Sequence, residues 1–231
     1  MKKSICALII SSALFGCGST VDMKKSDAVS AQPELILKTD GTFWGFGPEG
    51  SFDIAGLYQG KYSRSASTSS WFNTVNNNQG DMVAEVTRID SGETWTLICN
   101  GGGTSVDIGS FSFGGNDPYI CQINEAGQTI GEYEVAQKSE AISLSTTKKE
   151  IGFIRLRKTH FNVESIHDGE GLLMSVEHPL GYSFSRGSQE IAAAQTNGAI
   201  TLQTLANLPD SEMDTLILGT VASALSWRPQ D

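Results

Sequence analysis

From residue 34 onward the chain carries short apolar or alternating runs separated by turn-forming residues. Alternation with a period of two places successive side chains on opposite faces, which is the signature of half-buried strands. The pattern predicts strands at 34–38, 42–46, 51–58, 71–75, 82–89, 94–99, 119–123 and 130–135. It predicts further strands at 142–145, 151–158, 161–166, 172–177, 182–185, 190–194 and 200–205. Between them lie Asn78-Gln79-Gly80, Asn100-Gly101-Gly102-Gly103, Gly114-Gly115-Asn116-Asp117-Pro118, Asp168-Gly169 and Asn197-Gly198. These residues tolerate the positive φ that tight turns require. A mainly β fold is expected, a many-stranded antiparallel barrel or sandwich.

One segment departs from this rhythm. Pro209-Asp210-Ser211-Glu212-Met213-Asp214 leads into Thr215–Trp227, a stretch with no charged residue. Ser211 and Asp214 have the spacing of a capping box, and Arg228 and Pro229 suit a helix end. A helix is predicted over about 211–227. Met213, Leu216, Ile217, Val221, Ala224 and Leu225 form a wide apolar face, and Thr215, Gly219, Ser223 and Ser226 make the other side small. A helix without a charged face demands burial on most sides. At this length it is too short to span a bilayer.

The chain begins differently. Lys2 and Lys3 precede an apolar run from Ile5 to Phe15, followed by Gly16 and Cys17. This is the layout of an export signal, with an apolar core too short to cross a membrane. Leu14-Phe15-Gly16-Cys17 resembles the lipobox of bacterial lipoproteins, although Phe15 is larger than the usual residue there. That resemblance implies diacylglyceryl transfer to the Cys17 thiol, cleavage before it, and acylation of the new amino group, with palmitate as the expected chain. Two or more acyl chains hold a protein stably on a membrane. Gly18 and Ser19 follow in place of an Asp retention signal, which in Gram-negative lipoproteins implies the outer membrane, facing the periplasm or the exterior. The expected organisation is a signal at 1–16, an acylated Cys17 with a flexible polar tether at 17–33, and one β-rich domain at 34–231.

Charge narrows the partners. The chain has 16 Lys plus Arg against 26 Asp plus Glu, a net charge of −10. Loss of Lys2 and Lys3 with the signal takes it to about −12. A nucleic-acid binder needs a basic footprint that is missing here. Cys6 leaves with the signal and Cys17 carries lipid, so Cys99 and Cys121 remain as a pair. In an oxidising envelope a disulfide is their expected state, with two buried thiols as the alternative. A redox site lacks the CxxC spacing.

Many strands followed by an uncharged helix resemble the tubby-like fold, which includes the scramblase and LURP-related families. The residues that carry this resemblance are Gly181-Tyr182-Ser183-Phe184, Gln189–Ala194, Ala199-Ile200-Thr201-Leu202 and Asp214–Trp227. It implies about twelve strands closed around the C-terminal helix, and lipid or phosphoinositide binding in some relatives. Arg155, Arg157 and Lys158, with Lys148 and Lys149, are the basic candidates for a headgroup. Arg155 and Arg157 would share one face of a strand.

Catalysis leaves little trace. There is no G-x-S-x-G elbow, H-E-x-x-H pair or P-loop. His160, Glu164, His167, Asp168, Glu170, Glu177 and His178 crowd one region without the convergence zinc needs, and no cofactor is expected. Trp44, Trp71, Trp95, Tyr58, Tyr62, Tyr119 and Tyr182 could line a flat sugar-binding platform or the core. The expectation is a non-enzymatic envelope lipoprotein that binds a lipid or another envelope protein. A carbohydrate- or cell-wall-binding module, or a hydrolase with a cryptic site, are the alternatives.

Overall fold

A computed structural model describes residues 20–40, 49–64, 82–101, 106–108, 111–113, 118–137 and 149–226. After a single helical turn, α1 (Asp27–Ser30), come β1 (Leu35–Thr39), β2 (Glu49–Ile54), β3 (Tyr58–Ser63), β4 (Met82–Arg88) and β5 (Thr94–Asn100). A small hairpin, β6 (Val106–Ile108) and β7 (Phe111–Phe113), precedes β8 (Tyr119–Glu125), β9 (Gln128–Gln137), β10 (Glu150–Leu156) and β11 (Thr159–Ile166). β12 (Gly181–Arg186), β13 (Gln189–Gln195), β14 (Ile200–Thr204) and the helix α2 (Asp210–Leu225) complete the order.

Twelve of these strands close into an antiparallel barrel in which each pairs with its neighbours in sequence, and β1 pairs with β14 to seal it. The β6–β7 hairpin stands apart between β5 and β8. Closure gives every barrel strand two partners, so no unpaired edge remains. Alternation decides which side chains enter. On β4, Met82, Ala84 and Val86 are buried, while Val83, Glu85 and Thr87 are partly exposed. On β11, Phe161, Val163 and Ser165 point inward and His160 and Asn162 outward.

The lumen holds α2. Every residue from Asp214 to Leu225 is buried, and the helix touches β4 and β5 on one side and β10 to β14 on the others. Gly219 lies against Phe184 and Ile154, so close that an added Cβ would sit 2.7 Å from the Phe184 ring. Hydroxyls inside this apolar space bond back along the helix: Thr215 Oγ1 to the Ser211 carbonyl at 2.6 Å and Thr220 Oγ1 to the Leu216 carbonyl at 2.8 Å. Buried polar groups without such partners would each be costly.

Several expectations change in detail. The run 51–58 is two strands, because Ala55 and Gly56 adopt φ of 53° and 70° and the Gly56 amide donates to Asp53 Oδ1. The run 172–177 is a loop rather than a strand. The capping box does not form: Pro209 is the N-cap, and its carbonyl accepts from the Glu212 and Met213 amides. The runs 42–46, 71–75 and 142–145, together with Cys17, Trp227, Arg228 and Pro229, lie outside the described residues.

The polar segment before the barrel is not a free tether over residues 20–32. Met23 bridges Gly169, α1 packs beside β13 and β14, and Met23 and Val29 are 2% and 0% exposed. They form a small cluster with Leu180 and Ala193 on the outer wall. Of the three spaced apolar residues here, Val21, Met23 and Val29, Gly169 and Gly181 leave room for two, since a Cβ on Gly169 would lie 2.3 Å from Val21 and one on Gly181 2.7 Å from the Met23 sulfur.

Two outcomes test the core. Gly219→Leu should overpack the helix against Phe184 and destabilise the fold by about 1–3 kcal/mol in urea unfolding. The expected Cys99–Cys121 disulfide is present, joining directly opposed residues of β5 and β8 across a separation of 22 residues. Its removal by Cys99→Ala/Cys121→Ala should cost roughly 3 kcal/mol, and mild reductant should lower the Tm of the wild type but not of this variant.

Candidate functional site

The barrel has two unlike ends. The short connections at 55–57, 89–93, 126–127, 157–158 and 187–188 share one end with the start of α2. The long connections, 40–48, 64–81, 101–118, 138–149 and 167–180, leave from the other end, as does the shorter 196–199.

At the short-turn end the helix start is tied to the wall by charge. Tyr58 donates to Asp214 Oδ1 at 2.7 Å, and Arg88 lies 3.5 Å from the same atom. Arg88 also bonds Asp210 at 2.8 Å and Asp90 at 2.7 Å. Bonds to Asp90 and Asp210 raise the Arg88 pKa, and Arg88 in turn holds the Asp90 carboxyl below its ordinary value. Asp214 is different. Burial pushes its pKa up, and the bond from Tyr58 and the charge of Arg88 offset this only in part. Burial together with Asp214 raises Tyr58. Arg186 pairs with Glu212 at 2.5 Å and lies over the Phe161 ring.

At the long-loop end, Arg64 donates to the Ala224 carbonyl at 2.6 Å, and Tyr119 to the Ala222 carbonyl at 3.2 Å. Tyr133 and Ser223 hydroxyls are 2.9 Å apart. A cation at the last helical carbonyls complements the negative end of the helix dipole. Arg64, distant in sequence, supplies such a cation, and Arg228, expected in that role, lies outside the described residues. Burial lowers the Arg64 pKa. Tyr182 donates to the buried Glu150 carboxylate at 2.9 Å, and burial followed by the Glu150 charge raises its pKa.

A serine–histidine pair exists but is not exposed. Ser165 Oγ is 3.0 Å from His167 Nε2, and His167 Nδ1 is 2.9 Å from the Val176 carbonyl. Ser165 also accepts the Glu150 amide at 2.8 Å. Both side chains are buried, and the histidine is oriented by a carbonyl where a hydrolase would use a carboxylate. The arrangement ties β10, β11 and the following loop together. His160 stacks on Phe153 on the outer wall, and Glu164 pairs with Lys149. Among the described residues no group of three or more His, Cys, Asp or Glu is placed to hold a metal ion.

The basic candidates do not converge. Arg155 faces outward and pairs with Glu132 at 3.6 Å, beside a shallow hollow of about 290 Å³. Arg157 is a turn residue with φ of 53°, so it does not share a strand face with Arg155. Its guanidinium holds both oxygens of Glu125 at 2.6 Å, which raises its pKa. Lys158 is exposed on the same turn. Of the aromatic candidates, Trp95, Tyr58, Tyr62, Tyr119 and Tyr182 are buried and form no platform. Trp44 and Trp71 lie outside the described residues.

A larger concavity, which sequence reasoning missed, runs across the outer wall of β1 to β4, with a volume of about 590 Å³. Lys38, Asp53, Gln59, Lys61, Glu85 and Thr87 line it. Lys61 and Glu85 pair at 3.5 Å. Asp40 accepts both the amide and hydroxyl of Ser51, at 2.7 and 2.6 Å, and these bonds lower its pKa. Gly60 also lines it, and a Cβ there would strike the Glu85 carbonyl and the Phe52 ring. Alternating donors and acceptors suit hydrogen bonding to a polar ligand or protein surface.

Comparison with protein-family models, with curated proteins and with solved structures finds no match to this chain.

Asp214 gives a pH test. A carboxyl whose pKa is raised in the folded state binds its proton more tightly there than in the unfolded chain. It therefore favours folding at low pH, and that contribution is lost as pH rises from the unfolded value through the folded one. Asp214→Asn keeps an acceptor for Tyr58 and removes the titration. Relative to this variant, the wild type should lose stability as pH is raised through and just above the ordinary carboxylate range, read by urea unfolding. Asp214→Ala, which strands the Tyr58 hydroxyl, should cost about 1–3 kcal/mol more than Asp214→Asn.

Proposed function

We propose that this protein is a membrane-anchored envelope lipoprotein whose barrel is a non-enzymatic binding domain. The observation that carries the reading is the filled lumen: α2 takes the space where a closed barrel would hold a small ligand. Binding is left to the outer surface, and the polar groove on β1 to β4 offers a place for it. The buried Ser165–His167 pair offers no substrate a path to its nucleophile, which favours binding over hydrolysis. Element order and an enclosed terminal helix support a place among tubby-like barrels. The pairing of Arg155 and Arg157 with glutamates gives no support to a phosphoinositide cradle at those residues.

The anchor reading rests on Leu14-Phe15-Gly16-Cys17, on outer-membrane sorting implied by Gly18 and Ser19, and on a disulfide suited to an oxidising compartment. The acyl chains would supply the membrane attachment; no described helix is long and apolar enough to cross a bilayer. The full chain expressed in a Gram-negative host should yield a mature protein starting at acylated Cys17 and sedimenting with the outer membrane. Cys17→Ser should abolish acylation and membrane attachment. A wild-type protein that starts elsewhere, carries no acyl mass and stays soluble would sink this reading.

A further inference from the structure

The start of the described chain is pinned to the long-loop end of the barrel. Asn197 Nδ2 donates to the Val21 carbonyl at 2.8 Å, the Glu170 amide to the Asp22 carbonyl at 2.8 Å, and the Lys24 amide to the Asp168 carbonyl at 2.9 Å. The Met23 amide donates to Gln195 Oε1 at 3.0 Å. These bonds fix where the chain leaves the domain. Cys17 precedes Thr20 by three residues, so it lies within about 11 Å of Thr20 however the intervening chain runs. An acylated Cys17 would thus hold this face of the barrel close to the bilayer.

On the same face stands the loop between β11 and β12. Val21, Leu172 and Leu180 converge over the Gly169 α-carbon, which places the loop directly beside the outgoing chain. The next two residues turn away from the protein. Leu173 is 101% exposed and Met174 81%, whereas the other exposed large apolar side chains among the described residues are 43–49% exposed. The loop is braced in this shape by Ser175 Oγ donating to Asp168 Oδ1 at 2.6 Å and by the Val176 amide donating to the His167 carbonyl at 2.9 Å. Two adjacent apolar side chains held outward on a braced loop beside a lipid anchor fit an apolar environment rather than water.

We infer that Leu173 and Met174 are a second membrane contact, dipping into the lipid surface beside the acyl chains of Cys17. The inference rests on the reading of Cys17 as acylated. No Lys or Arg occurs between Lys158 and Arg186, and the loop carries Asp168, Glu170 and Glu177. Lys24 is exposed beside the loop, but these carboxylates outnumber it, so the contact is apolar and draws on no attraction to anionic headgroups. It seats the long-loop end on the bilayer and turns the short-turn end away from it.

The test uses the full chain, exported and acylated in a Gram-negative host, then reconstituted in phosphatidylcholine vesicles. With Cys17 acylated and Cys99 bonded to Cys121, a cysteine introduced by Met174→Cys or Ser188→Cys takes a nitroxide label. Residue 188 is an exposed position on the β12–β13 turn at the opposite end. Collision with dissolved oxygen and with a water-soluble nickel complex is compared by power saturation. The label at 174 is expected to favour oxygen and the label at 188 nickel, at low and at high salt alike. Vesicle-bound protein with both labels favouring nickel would overturn the second contact and leave the anchor standing. A label at 174 shielded from both agents would also overturn it, pointing to a protein neighbour instead. Protein that lacks acyl mass and does not float with vesicles would overturn the anchor reading and this inference together.

Discussion

The structure depends on filling a closed barrel with a helix that carries its own polar groups. Closure removes the exposed strand edges but leaves a lumen that must be packed densely. α2 fits because Gly219, Ala222 and Ala224 keep it slender, while Leu216, Ile217, Val221 and Leu225 fill space. Its dipole and hydroxyls would be costly in such a place if left alone. Inward-pointing side chains of the wall meet them: Tyr58 and Arg88 at the start, Tyr119, Tyr133 and Arg64 near the end. The same tyrosines supply much of the apolar surface that the helix packs against. Packing and polar satisfaction are thus carried by one set of residues.

A filled lumen moves any ligand to the outside of the wall and its ends. The outer wall contributes a polar groove with alternating charges, and the ends differ in kind. Tight turns and ion pairs form one end, while long connections and the pinned N-terminal segment form the other. Docking of residues 20–32 beside β13 and β14 makes this asymmetry meaningful. On the proposed reading of Cys17 as acylated, it turns a position in sequence into a direction in space.

Much of the fold was legible because its signal is local. The period-two runs mark most of the described strands, since burial on one face of a strand imposes alternation residue by residue. The uncharged run 215–225 announced an enclosed helix for a similar reason, as water-facing positions would have attracted charge. Local chemistry also misled. The run 51–58 concealed a hairpin at Ala55-Gly56, because its apolar residues continue through the turn. Ser211 and Asp214 had the spacing of a cap, yet Asp214 was drawn inward by Tyr58 and Arg88, which are remote in sequence. The segment at 20–32 looked free because its few apolar residues find partners only after β11, β12 and β13 have assembled.

The candidate site was far less legible. The groove on β1 to β4 joins residues from four strands, none of which forms a motif with its neighbours. Arg155, Arg157 and Lys158 are adjacent in sequence, but a positive φ at Arg157 and glutamates on neighbouring strands disperse them. Composition and local pattern determined a mainly β domain, a terminal helix that must be buried, a cysteine pair, and a signal with the form of a lipid attachment site. Closure, the placing of α2 in the lumen, and the pairing of each charge belong to the tertiary structure, because they depend on contacts between residues far apart in the chain. The end of the barrel at which residues 21–24 dock was decided in the same way, by bonds from their backbone to Asp168, Glu170, Gln195 and Asn197, 144 to 176 residues away.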